Sequence, residues 1–411
     1  MLGASCRGEV RRNFMIAWPL LHSALTGVCL LPFSLKRYGP NVVESGSKAD
    51  ITRRALIVKF GAIGDVIMAL PAAHGLHQQG FQVEWACGKA VRPLLECYPW
   101  IKLVPVDDKA ILAGRPLERL REILRLWRKI AFRPYQLCAT LYYDSRYRIL
   151  AAPVRSDRKI MLSRSSRDTM LVTGRQHTDE YARVVLGEED TVRETSRSPL
   201  RPLHLPASPL PAKERRRIAI VPGGTSNILA KQAWRRWPIE HYVAIAQQLL
   251  SRNMEVVLLG GPGDEWVRPS FQQLPVTDCI GTLSLPEVIS VCDSCDAVIS
   301  HDTGPLHLAG LSNAALIGIF GPTNPSNFLP RRSSVIGMWG GHGFACRPCY
   351  DGRNFAPCTF NGCMHQVTPA AVLQQLDALL EDRAHGRLRE WSVVVPDTNQ
   401  PASAATILPV L

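Results

Sequence analysis

Three short segments of this 411-residue chain set glycines beside residues able to move protons or hold phosphate. In KFGAIGDVIMALP, Lys59 to Pro71, an apolar run ends, the chain turns through Gly61 and Gly64, and Asp65 stands near the start of a helical pattern. Glycines there let a substrate approach the backbone, and a carboxylate projecting from the turn can take a proton from a hydroxyl. The plainer reading is an Asp favoured at any helix start by the dipole. In VPGGTSN, Val221 to Asn227, a second apolar run leads into Gly223 and Gly224, with RRWP following. Backbone amides of that turn and the Thr225 hydroxyl suit diphosphate oxygens, and Arg235 or Arg236 would neutralise their charge. The plainer reading is a structural turn ahead of a helix. In ISHDTGPLHLAG, Ile299 to Gly310, a strand delivers Asp302, Thr303 and Gly304 just before a short helix carrying His307. Amides, a hydroxyl and an imidazole together suit a leaving diphosphate, and Asp302 would bind sugar hydroxyls or orient the site. No complete P-loop signature occurs, which argues against phosphoryl transfer by that route.

Each segment needs a strand before it and a helix after it, and the surrounding pattern supplies both. Apolar runs at Ala55 to Phe60, Gln82 to Ala86 and Lys102 to Val106 alternate with helical segments. In the helical segment Leu117 to Ile130, Leu117, Leu120, Leu124 and Trp127 share one face and arginines the other. Five prolines between Ser196 and Pro211 mark a linker. A second alternation follows: strands at Arg217 to Val221, Glu255 to Gly260, Ala297 to Ser300 and Leu316 to Phe320. Helices fall at Ile239 to Ser251, Pro286 to Cys292, Leu306 to Leu311 and Pro369 to Asp382. Strand and helix in alternation predict parallel, helix-covered sheets, whose ligands bind beyond the carboxyl ends of the strands. The expected division is an N-terminal extension over 1–50, an acceptor-binding domain over 51–198, a linker over 199–215, a donor-binding domain over 216–385 and a tail over 386–411.

The net charge of +13 is concentrated. Residues 115–175 hold 15 Lys and Arg against 5 Asp and Glu, a basic field that attracts anions. Part of it reads equally well as solvated helix faces. The apolar stretch Phe14 to Leu35 follows Arg7, Arg11 and Arg12, but Pro19, His22 and Pro32 interrupt it. The expectation is a disordered or over-long start, ahead of an interfacial anchor and then a spanning helix. Twelve cysteines in a chain this long do not make a small disulfide scaffold. Four of them cluster: Cys346, Cys349, Cys358 and Cys363. Thiols so spaced would hold zinc or iron, form two disulfides, or pack as reduced thiols beneath a loop. The expectation is a structural role without metal.

In this order, GDVIMALP, PGGTSN with RRWP, LGGPGDE, and DTGPLHLA followed by IGIFGPTNP resemble glycosyltransferase family 9, the heptosyltransferases, over roughly Arg54 to Ala378. The resemblance implies an α/β GT-B fold, two Rossmann-like domains facing across a cleft, and an inverting mechanism that requires no cofactor. It implies ADP-heptose or a similar nucleotide sugar as donor and a lipid-linked or core saccharide of lipopolysaccharide as acceptor. It makes Asp65 the general base, with Gly61 and Gly64 in the acceptor-side loop. Diphosphate contacts fall on Gly224, Thr225, Thr303, Gly304 and His307, beside Gly223. The basic donor-side residue becomes Arg235, the donor-sugar contact Asp302, and Asp264 and Leu283 fall near ribose and adenine. Two features depart from the family pattern: Arg235 stands where Lys is usual, and Ile228 to Trp234 lengthens the link to RRWP. A related group that heptosylates autotransporter adhesins carries cysteine-held iron, but its spacing is not that of Cys346 to Cys363. The expected setting is cytoplasmic and peripheral, at the anionic inner face of the cytoplasmic membrane, with no nucleic acid partner. The alternatives are protein heptosylation, a sugar-nucleotide epimerase of the same fold, and a non-catalytic nucleotide-sugar binder. Asp65 beside a complete diphosphate site argues against the last.

Overall fold

The computed structural model describes residues 53–225, 232–350, 354–358 and 360–396. The stretch Phe14 to Leu35, Cys6 and Cys29, and Ser226 to Lys231, which take in the lengthened link as far as Lys231, lie outside the described residues.

The first sheet consists of β1 (Arg54–Val58), β2 (Gln82–Gly88), β3 (Ile101–Val106), β4 (Pro134–Thr140) and β5 (Arg155–Met161), in the order β3-β2-β1-β4-β5. All neighbours are parallel. Ala55 to Val58 on the central strand are fully buried, as a strand covered on both faces requires, so β1 reads as an unbroken apolar run. The second sheet takes β6 (Arg217–Val221), β7 (Glu255–Leu258), β8 (Thr277–Asp278), β9 (Ala297–His301), β10 (Ala315–Phe320), β11 (Val335–Trp339) and β12 (Ser392–Val394). Its order is β12-β11-β10-β9-β6-β7-β8, again parallel. In each sheet the strand order reverses beside a glycine motif, between β1 and β4 and between β6 and β9. Such a reversal opens a crevice at the carboxyl ends.

The covering helices are α1 (Ile63–Gln78), α2 (Pro116–Ile130), α3 (His177–Leu186), α4 (Ile239–Ser251), α5 (Leu285–Asp293), α6 (Gly304–Gly310) and α7 (Pro369–Ala384). Helix α5 starts on a capping box, the Ser284 amide donating to Glu287 at 2.7 Å, which satisfies an otherwise orphaned N–H. Helices α1 and α6 pack on each other, and one apolar core runs through both halves from Val66 and Ile67 to Leu306 and Leu308. The proline-rich segment is strapped to both halves. The Leu200 carbonyl accepts from the Tyr98 hydroxyl at 2.6 Å, and Arg201 pairs with Asp293 of α5 at 2.7 Å.

Helix α2 turns its leucine face away from the core. Its buried residues are Glu122, Leu126 and Ile130, whereas Leu117, Leu120 and Leu124 of the leucine face point outward, Leu117 being 81% exposed. The core takes the opposite face, where Leu126 and Ile130 pack with Tyr135 and Val154. Arg121 and Arg128, one turn on from Leu117 and Leu124, share the leucine side rather than a face of their own.

Candidate active site between the two sheets

On the acceptor side, β1 runs into a turn whose amides are held from the neighbouring strand end. The Tyr142 hydroxyl accepts from the Phe60 and Gly61 amides at 2.9 and 3.1 Å. Ala62 then takes a left-handed φ of 44°, and α1 begins with Asp65 in its first turn. A Cβ on Gly61 would meet nothing within 4 Å, whereas one on Gly64 would lie 2.5 Å from the His307 ring. Only a glycine at 64 allows α6 this close.

Lys59, which the motif contained but to which no role was assigned, is 3% exposed. Its ammonium donates to Asp65 Oδ2 at 3.0 Å and to the Leu141 carbonyl at 3.1 Å, and lies 4.3 Å from the Tyr142 ring centre. The Asp65 side chain keeps 32% of its surface open. Burial works against its charge, but the Lys59 ammonium outweighs it and holds the carboxyl below the ordinary value of 3.8. Helix α3 adds two residues that sequence reasoning missed. Burial pushes His177 down to about 4, and it raises the Tyr181 phenol well above its usual range, with the Asp65 carboxylate adding to the rise. His177 therefore stays neutral at pH 7. Its signal in the sequence was weak because α3 carries polar residues inward, with Glu180 and Arg183 paired at 2.8 Å.

On the donor side, Gly223 and Gly224 turn tightly after β6, Gly224 with φ 94° and Thr225 with φ 63°. Asp264 spans this turn and the next loop. One carboxylate oxygen accepts from the Gly224 amide at 2.6 Å and the other from the Gly261 amide at 2.8 Å. Expected near the ribose, Asp264 is instead buried and spends both oxygens on backbone. The Thr303 hydroxyl accepts from the Thr225 amide at 3.0 Å. Two amides expected to face a diphosphate are therefore engaged within the protein. The positive charge nearby comes from two guanidinium groups. Arg236 donates to the Gly224 carbonyl at 2.9 Å and to the Thr225 hydroxyl at 3.1 Å. Arg235 donates to the Asp302 carbonyl and pairs with its carboxylate at 3.2 Å. Asp302 is 3% exposed and also accepts from the Thr323 hydroxyl at 2.6 Å, so its place is beneath the site as an orienting group. Thr303 caps α6, Gly304 begins it against Ile63, and His307 lies buried within it. Burial lowers the His307 pKa, against the opposing pull of Asp302 and Asp65. Leu283 is half-buried ahead of α5 and packs against the shared core.

The structure thus brings Asp65, Gly64, His307, Thr303, Thr225, Arg235 and Asp302 to one interface. The four clustered cysteines do not converge as a ligand set. Cys346 and Cys358 are exposed and Cys349 and Cys363 half-buried, all as free thiols. Sγ of Cys358 donates to the Phe360 carbonyl at 3.0 Å. Burial, with the neighbouring thiols adding, pushes Cys363 up to about 12. Among the described residues no group of three or more Cys, His, Asp or Glu is placed to hold a metal ion.

A family model described as glycosyltransferase family 9 (heptosyltransferase) matches residues 138–358, more than half of the chain. The chain belongs to glycosyltransferase family 9. Among this family's curated members, lipooligosaccharide heptosyltransferase 2 of Haemophilus influenzae is 28% identical over 155 residues, covering 36% of this chain and 43% of that relative. The chain thus spans less than half the length of that relative in the match. Among solved structures, the family 9 glycosyltransferase from Veillonella parvula superposes with a TM-score of 0.63 at 20% identity, covering 80% of this chain and 97% of that one. E. coli ADP-heptose LPS heptosyltransferase II gives 0.61 at 19% identity, covering 81% and 100%. At these identities the likeness concerns the fold, and it is the GT-B arrangement of family 9: two parallel α/β sheets with the glycine motifs facing one another.

Proposed function

We propose that this family 9 protein is an inverting glycosyltransferase. It moves a heptose or related sugar from an ADP-activated donor to a core saccharide of lipopolysaccharide, at the inner face of the cytoplasmic membrane. The observation that carries the reading is the position of Asp65. It is an ionised, partly open carboxylate on the acceptor side, packed through Gly64 against His307 of the donor-side helix. In an inverting transfer an acceptor oxygen attacks the anomeric carbon, its proton passes to a base, and the bond from that carbon to the diphosphate breaks. Asp65 is the base. Lys59 fixes its orientation and keeps it unprotonated at neutral pH, so it is free to accept a proton, although the lowered pKa makes it a weaker base than a carboxylate tuned upward. The departing diphosphate gathers negative charge beside Arg235, Arg236 and the start of α6, where fixed positive groups stabilise it. Asp264, Thr303 and Asp302 hold these groups in place by occupying the surrounding donors and acceptors. The choice of ADP-heptose is supported by the E. coli structural neighbour, an ADP-heptose LPS heptosyltransferase. Among the described residues no helix is long and apolar enough to cross a membrane.

The test is titration of the purified full-length protein with a panel of nucleotide sugars, followed by transfer assays on a water-soluble core oligosaccharide lacking its heptose. Selective binding of ADP-heptose with release of ADP on transfer is expected. Binding that ignores the diphosphate, or no transfer from any nucleotide sugar, overturns the reading.

A further inference from the structure

The outward face of α2 has no part in the cleft and, among the described residues, nothing packed over it. Leu117, Leu120 and Leu124 follow one another at spacings of three and four, so they line one side of the helix. Phe132, just past its end, continues the line and is 89% exposed. This side lies opposite the Glu122, Leu126 and Ile130 side that the core takes. Three large leucines and a phenylalanine on one exposed strip are more than the scattered apolar residues of an ordinary surface.

Charge surrounds the strip. Helix α2 carries Arg119, Arg121, Arg125, Arg128 and Lys129 against Glu118 and Glu122. Glu122 is turned inward, where it pairs with Arg125 at 2.9 Å and accepts from the Asp107 amide. Exposed Arg121 and Arg128, which flank the leucines, have no ion-pair partner among the described residues. Beside the helix lies an open groove of about 620 Å³ with Leu124, Trp127, Phe132 and Pro153 as apolar walls and Arg128 and Arg155 among its lining residues.

An apolar strip edged by unpaired arginines fits one kind of surface, in which hydrocarbon lies just beneath a plane of anionic headgroups. The long arginine side chains can lie along the apolar boundary and leave their guanidinium groups at the phosphates. A protein partner would need acidic residues around an apolar centre, and nothing in this fold selects for one. We propose that α2, Phe132 and the adjoining groove form a docking surface for an anionic phospholipid bilayer, with Leu117, Leu120, Leu124 and Phe132 entering the interface and Arg121, Arg128 and Arg155 meeting the phosphates. The inference rests on the membrane-surface part of the proposed function and assigns it to residues.

The test is flotation of the full-length protein with vesicles of phosphatidylglycerol and phosphatidylethanolamine, or of phosphatidylcholine alone. Wild type should float with the anionic vesicles, weaken as salt rises, because exposed charges are screened within ~10 Å at 0.1 M, and fail on phosphatidylcholine. L117S combined with F132S should lower the partition coefficient at least about tenfold. R121S combined with R128S should lower it by about fivefold for each arginine. Thermal unfolding checks that these surface changes leave the fold intact, and transfer to the water-soluble acceptor should stay at the wild-type rate. Partition of both double variants within twofold of wild type would overturn the assignment and place binding elsewhere in the chain, including residues 1–50. Failure of wild type to bind any vesicle while transferring sugar to the soluble acceptor would overturn docking alone. Loss of transfer in wild type would instead count against the proposed function.

Discussion

The two glycine turns occupy equivalent places at the ends of β1 and β6, yet they are built differently. Around Gly224 everything is tied down: Asp264 holds the Gly224 and Gly261 amides, Thr303 holds the Thr225 amide, and Arg236 holds the Gly224 carbonyl. Around Gly61 the Tyr142 hydroxyl alone, among the described residues, accepts from the Phe60 and Gly61 amides, and space is left open where a side chain would stand. The contrast divides the labour. A turn that must present fixed charge gains from having its dipoles set in advance, since nothing then has to reorganise during reaction. A turn that must admit a hydroxyl and accept its proton needs room and a single well-aimed carboxylate.

The comparison breaks most decisively at Asp65. Asp65→Asn keeps the size and removes the basicity, so turnover should fall about 10²- to 10⁴-fold, while ADP affinity stays near wild type and the unfolding temperature drops because buried Lys59 loses its carboxylate partner. A rate equal to wild type in a transfer assay would mean that the acceptor turn carries no base. Next in size is Asp264→Ala on the donor side. It leaves two backbone donors without partners, at about 1–3 kcal/mol each where they remain buried. Calorimetric titration should show weaker ADP binding, with the rate at saturating donor little changed. If Asp264→Ala lowered that rate as severely as Asp65→Asn, the proposed division of labour would be wrong.

A paired glycine experiment sharpens the point. Gly224→Ala meets both a left-handed backbone and the Thr303 hydroxyl, and the backbone alone costs about 1–2 kcal/mol. Gly61→Ala meets no neighbouring atom and should fall within about 0.5 kcal/mol of wild type by chemical denaturation. The smallest effect concerns pH. Because Lys59 depresses the Asp65 pKa, their pairing adds stability above the ordinary carboxylate value, and this is lost as pH falls through the depressed folded value. The acid limb of kcat/KM should therefore lie below pH 3.8 in wild type, if the fold persists there, and move upward in Lys59→Met. An unmoved limb would show that Lys59 only fills space.

Much of the frame was legible because full burial writes itself plainly. ALIVKF and the apolar strand before HDTG could hardly be anything but central strands, and the three motifs that follow β1, β6 and β9 do meet. Other features were hidden for identifiable reasons. β5, RSDRKIM, lies at a sheet edge and shows its charges to solvent, so no apolar run marks it. Residues 392–394, in the stretch expected as a tail, add an edge strand whose apolar content is too short to register. The holding role of Asp264 depends on a bond to Gly224, 40 residues away, which no local pattern encodes. The choice between Arg235 and Arg236 is likewise one of side-chain direction. For α2 the period reveals an apolar face but not which way it points, because leucines facing solvent and leucines facing a core have the same period.

Gly64 also works as a spacer of zero thickness. With no side chain there, the distance between α1 and α6 is set by the His307 ring itself, so a single methyl group at this position is a wedge driven between the two halves. Gly64→Ala would act on the molecule's outline before it acted on any bond. The scattering radius in solution would grow and the two lobes would tilt apart, even though the proton acceptor and the charges awaiting the diphosphate remained chemically intact. The reach between them would then lengthen.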